Sequence, residues 1–316
     1  MRYFKKYLSI ALMLFCSIFF VQAQTATGDS MKDSIVYFSG SEYQKIKHNT
    51  ALNPQDRLYQ LSMPLLAYAT MKKITEYQTV LADMQQILDN ETDSGKIQKS
   101  WQLWMMGRMA VAAKLAGDQQ KLSELKTTLS KELSENDTKD IFTGWAFAYL
   151  ASLDQDTYKQ YQAKLSEYDK LERARFDKDP EKEGSNYVWT LVMNLYAAAS
   201  TNQDDDYAMY KEELINLTPQ KSLTATSQLV PMSDFRQWEV SFQRYSFAMM
   251  QDKASLGELQ SINSPTIESL DSMLAWANTL ITPENLSLKD NPNTFYPAVK
   301  TGKGKTPDGE QLTLRK

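Results

Sequence analysis

The sequence predicts an all-α fold, a two-layer array of about five antiparallel helical hairpins in the manner of an α-α superhelix, and three observations predict it. The first is one stretch, Trp101 to Leu133. From Trp101 to Ala116 apolar residues occupy nearly every side, so this helix is expected to be buried all round. In its partner only Leu122, Leu125, Leu129 and Leu133 repeat, at steps of three and four, which is the stripe of an outer helix with a wet face. Gly117 and Asp118 between them supply a left-handed stop and a helix start. The second observation is that the spacing recurs. From Trp104, apolar residues fall at +18, +21 and +25; from Trp189 the same offsets give Tyr207, Tyr210 and Leu214. Trp238 gives Leu256 and Leu259 before Asn263 breaks the match, and shorter turns bring Tyr158, Tyr161 and Leu165 into register with Trp145, and Ile74, Tyr77 and Leu81 with Tyr59. The third is the step between Trp104, Trp145, Trp189 and Trp238, about 45 residues, within the range of helical solenoids.

In chain order, the first element is a targeting signal over residues 1–23. Arg2, Lys5 and Lys6 precede an apolar run from Leu8 to Val21, and Ala23 supplies the small residue that cleavage requires. The run is too short to span a bilayer, and no later segment reaches the roughly 20 apolar residues a spanning helix needs. A lipid anchor on Cys16 is disfavoured, because Phe15 precedes it where a small residue is expected. The expected mature chain is exported to the periplasm or cell surface and contains no cysteine, which excludes disulfides, thiolate nucleophiles and cysteine metal sites. It carries 32 basic against 39 acidic residues and no long basic run, which argues against nucleic acid as a partner.

Residues 24–52 read as an extension, with an apolar run from Ile35 to Phe38 suited to a strand or a docking segment, and a brief helix from Ser41 to His48. The repeat domain is expected over 53–281. Asn53-Pro54 opens it with a cap residue and proline at the first helical position, and the hairpins fall at about 54 to 90, 99 to 134, 140 to 173, 185 to 217 and 234 to 262. Asp177 to Asn186 reads as a charged loop and Thr218 to Ser233 as the longest internal connection. Ser264-Pro265 opens a last helix to Ile281 carrying Trp276 as a cap on the array. From 282 to 316 a polar, flexible tail is expected.

Trp104, Gly107 and the Gly117-Asp118 turn resemble the first helix and turn of the tetratricopeptide repeat. The resemblance covers one hairpin, with turn and helix lengths unlike the 34-residue unit. It implies a partner-binding role and carries over no site residue.

Each chemistry-bearing motif has a plainer structural account. His48 is the only histidine and sits in a polar helix end, so a Ser-His-Asp triad or histidine-rich metal site is not expected. Met105, Met106 and Met109 fill the most apolar helix rather than bind a soft metal. Asp204, Asp205 and Asp206 suit a helix N-terminus and lack the alternating acids and glycine of a calcium loop. Gly302 to Thr306 contains Gly-Lys-Thr, but Val299 stands where the phosphate loop needs glycine and Pro307 blocks the following helix. No catalytic residue, metal or cofactor is predicted.

The polar residues inside the apolar helices are Arg108, Asn194, Glu239 and Arg244, and burying them is costly unless they are paired. They either form a structural network or face a concave surface, where Trp101, Tyr196 and Tyr245 would stack on sugar or grip a peptide. The favoured reading is a binding or scaffold protein for a peptide, a protein segment or a glycan. The alternative is a helical-toroid enzyme on polysaccharide using a carboxylate pair, for which Glu239 is the only candidate acid and has no evident partner.

Overall fold

In the computed structural model, the described residues are 51–260 apart from 92–94 and 231–233, together with 36, 39–40, 43–49, 303–305 and 311–313. The expected signal, the helix carrying Trp276 and the Trp238 side chain lie outside them, as does most of the expected tail.

The chain is all-α through its main body. The eleven helices numbered here are α1 (Pro54–Thr70), α2 (Ile74–Glu91), α3 (Lys99–Ala116), α4 (Gln119–Ser134), α5 (Ile141–Ala151), α6 (Gln155–Lys178), α7 (Pro180–Ser200), α8 (Asp204–Asn216), α9 (Leu223–Ser227), α10 (Asp234–Met249) and α11 (Lys253–Gln260). Residues 43–48 are helical as well.

Helix starts follow local chemistry. Asn53 caps α1 by accepting from the Asp56 amide, with Pro54 in the first turn. Aspartates do the same for α4, α5, α6 and α7, through Asp118, Asp140, Asp154 and Asp179. Gly117 ends α3 at φ 82°, with its own amide and that of Asp118 returning to the Ala113 carbonyl.

Burial separates two kinds of helix. In α3 residues are buried on every face, whereas α4 buries only Leu125, Leu129 and Leu133, with Leu122 half-buried. The apolar helices α1, α3, α5, α7 and α10 each touch the next, and α2, α4, α6, α8 and α11 pack against them in order. The approach between α3 and α5 is close. A Cβ on Gly107 would stand 2.9 Å from the Cβ of Tyr149.

Two sequence expectations are corrected. The stretch from Asp177 to Asn186 is not a loop: α6 runs to Lys178 and α7 begins at Pro180, with only Asp179 between them. Asp179 leaves the helical region (φ −150°, ψ 78°), since the following proline disfavours an α conformation there, and its side chain then caps α7. Asp-Pro is thus a helix start here, not a breaker. The expected connection from Thr218 to Ser233 joins α8 to α10 and carries α9 within it. Val36, in the run read as a strand or docking segment, is helical. In the expected tail, Lys303–Lys305 and Gln311–Thr313 pair as an antiparallel ribbon, Lys303 opposite Thr313.

Candidate ligand-binding face

The apolar helices bring their aromatic side chains into one continuous ribbon. Tyr59 on α1 contacts Trp101 and Trp104 on α3, with ring centroids 5.9 and 5.8 Å apart. Trp104 meets Phe142 and Trp145 on α5, each at 5.3 Å. Trp145 meets Trp189 on α7 at 5.5 Å, and Trp189 meets Phe242 on α10 at 6.1 Å. Tyr196 stands at 89° to Phe242 and packs against Tyr245 at 5.6 Å. Most contacts are edge-on or tilted, the arrangements that ring quadrupoles favour. Its two ends differ in access. Tyr59, Trp101, Phe142 and Trp145 are half-buried, whereas Phe242, Tyr196 and Tyr245 belong to the core.

Arg108 lies beneath the accessible end and is wholly buried. Its guanidinium stands 5.7 Å from the ring centres of both Tyr59 and Trp104, and Nη2 lies 3.7 Å from the sulfur of Met63. In a desolvated setting, cation–π contacts of this kind contribute on the order of 2 kcal/mol. Burial pushes the Tyr149 hydroxyl above its ordinary range, with the Arg108 charge opposing.

The other predicted residues occupy separate places. Trp101 and Arg108 share the α1–α3–α5 end of the ribbon, and Tyr196 and Tyr245 its α7–α10 end. Asn194 is buried on α7, its Nδ2 without an acceptor. Arg244 is buried on α10, where Nη2 donates to the Leu259 carbonyl at 2.8 Å, and burial lowers its pKa to about 10 against the field of Glu239. Glu239 accepts from the Gln243 amide and from the Ser227 hydroxyl, the latter at 3.2 Å. Burial raises its pKa to about 7, against those two hydrogen bonds and the charges of Arg236 and Arg244.

Tyr59 and Trp145, expected as packing anchors, are half-buried and lie among the accessible rings, whereas Trp189 is core; the near-regular spacing of these anchors is the sequence signal for the ribbon. Phe142 was missed altogether. A second acidic cluster was missed because its members are dispersed in the chain. Asp169 is raised to about 6 by burial and the Glu213 charge, while Glu213 accepts from the Tyr187 hydroxyl and pairs with Arg173 at 3.1 Å.

A cleft of about 440 Å³ beside α1 and α2 is lined by Leu52, Arg57, Leu61, Asp83, Ile87 and Glu91 among others. Its charges are engaged: Asp83 accepts from Tyr43 at 2.6 Å, Glu91 pairs with Lys96, and Arg57 donates to the Asn49 carbonyl. His48 is exposed, and Met105, Met106 and Met109 are core residues. Among the described residues no three His, Cys, Asp or Glu side chains gather as a metal site, and no helix is long and apolar enough to cross a membrane. No family model matches the chain, and no curated protein or solved structure matches it significantly.

Proposed function

We propose that the chain is an exported helical-repeat binding or scaffold protein, its hairpins stacked in the tetratricopeptide manner, which holds a peptide, a protein segment or a glycan against the aromatic ribbon. What carries this reading is the half-buried row of Tyr59, Trp101, Phe142 and Trp145, supplied by three successive apolar helices. A half-exposed ring offers apolar area that a ligand can cover with little side-chain ordering, which is why aromatic residues dominate recognition surfaces.

The test uses residues 24–316, wild type and the Trp101→Ala and Phe142→Ala variants, in thermal-shift titrations against peptide and oligosaccharide panels. A ligand that binds only the folded chain raises Tm with concentration. The reading expects a shift with at least one panel, reduced at least about tenfold in apparent affinity by either substitution. No shift with either panel, or a shift indifferent to both substitutions, overturns it. One observation favours the enzyme alternative, the Glu239 carboxyl held near 7, where a general acid works best. Its complete burial counts against that role. Product formation lost in Glu239→Gln, with binding retained, would restore it.

A further inference from the structure

The connection between α8 and α10 is fastened along its length by side chains. Ser222 caps α9 by accepting from the Ala225 amide at 3.1 Å, and Glu258 on α11 accepts from the Leu223 amide at 2.7 Å. The Thr226 hydroxyl donates to the Leu214 carbonyl at 2.6 Å. Beyond α9, Arg236 on α10 grips the carbonyls of Gln228 at 3.0 Å and Val230 at 2.8 Å. Between these fastenings Ser227 donates to Glu239, and both are buried.

Glu239 is the weak point of this arrangement. No cation lies within ion-pair distance of it among the described residues, and its Oε2 meets no hydrogen-bond partner of either kind, which costs a neutral hydroxyl far less than an unpaired charge. An ionised carboxylate there would be desolvated with half its acceptor capacity unfilled, which is costly. It would also attract the guanidinium of Arg236, three residues away on the same helix, from the two carbonyls it holds. We infer that residues 222–230 form a strap seated on α10 by protonated Glu239, and that loss of this proton as pH rises releases the strap.

The groups around the carboxyl agree with this assignment. Arg236 and Arg244, both on α10, are the charges that act on it; α9 contributes the uncharged Ser227, and Glu258 on α11 serves the far end of α9. The third packed helix, α7, buries no charged side chain, only Tyr187 and Tyr196 as titratable groups. The burial that raises this acid to about 7 puts release in the neutral range.

Amide hydrogen exchange of the mature chain between pH 6 and 8 tests the inference. The amides of Thr226, Gln228, Leu229 and Val230 are hydrogen-bonded within the strap and report its opening. Beyond the rise that base catalysis gives every amide, the wild type should show an excess of about tenfold at these positions, matching the shift of one titrating group, while α3 shows none. Glu239→Gln, uncharged at every pH and close in shape, should abolish the excess. Ser227→Ala, which keeps the acid, should raise exchange of the strap at both pH values. An excess that persists in Glu239→Gln, is absent in the wild type, or appears equally in α3 overturns the inference.

Discussion

A single added carbon is the sharpest test of the packing between α3 and α5. In a helix, alanine is intrinsically better than glycine by about 1 kcal/mol, so Gly107→Ala would stabilise an exposed helix. Here the new methyl would meet Tyr149 at 2.9 Å, and overpacking of this kind costs about 1–3 kcal/mol. Gly107→Ala is therefore expected to lower Tm, and an unchanged or higher Tm would show that Tyr149 can yield. Asp154 supplies a second test. Burial works against its charge, but Lys126 at 2.6 Å and the hydroxyl and amide of Thr157 hold its pKa down to about 2. A depressed carboxyl contributes stability above its unfolded value and loses that contribution as pH falls toward the folded one. Asp154→Ala should cost about 1 kcal/mol at neutral pH through the lost cap alone, and should flatten the loss of stability between about pH 4 and 2, measured by urea denaturation.

At the level of the helix, Asp179 decides where one long helix becomes two. Its non-helical backbone, the proline after it and its side-chain cap act together, and Asp179→Ala removes only the cap. The expected result is a loss of about 1 kcal/mol with unchanged helix content by circular dichroism, because Pro180 still prevents the helices from fusing. Merging into one helix, read as increased helicity, would show that the cap alone holds the break. This junction also marks the limit of sequence reading. The helices α3 and α4 and the turn between them were legible, since glycine, cap and stripe all agreed. At Asp177 to Asn186 a charged surface hides the helical period, and one aspartate-proline pair serves equally as loop or helix start. The site was legible in part for a related reason. Tyr59, Trp104, Trp145 and Trp189 stood out by spacing, but a sequence cannot show which edge of a buried row stays open to solvent, and that choice separates Trp101 from Tyr245.

At the scale of the whole molecule, the perturbed carboxyls among the described residues divide into two opposed sets. Asp154 and Asp252 are held down to about 2, against burial, Asp252 by Lys211, Ser255 and Tyr207, so both contribute stability above about pH 4. Glu239 and Asp169 are raised by burial, to about 7 and about 6, so stability falls as pH climbs from their unfolded range through those values. For wholly buried Glu239 the loss is on the order of 3 kcal/mol. The denaturation midpoint is therefore expected to peak near about pH 4 to 5 and to decline on both sides, with Glu239→Gln removing much of the alkaline decline. A midpoint that rises steadily to pH 7 would contradict this assignment.

The aromatic ribbon also has an optical consequence. Trp101 and Trp104 lie 5.0 Å apart, Trp104 and Trp145 5.3 Å, and Trp145 and Trp189 5.5 Å. At such separations the transition dipoles of neighbouring indoles couple, so four tryptophans from three helices contribute coupled bands to the near-ultraviolet circular dichroism. Each coupling depends on the mutual orientation of the two indoles, whose planes cross at 60° for Trp104 and Trp145 and at 51° for Trp145 and Trp189. Any turn of α5 against its neighbours would change both couplings together, so the protein carries an internal, label-free gauge of how these helices sit against one another.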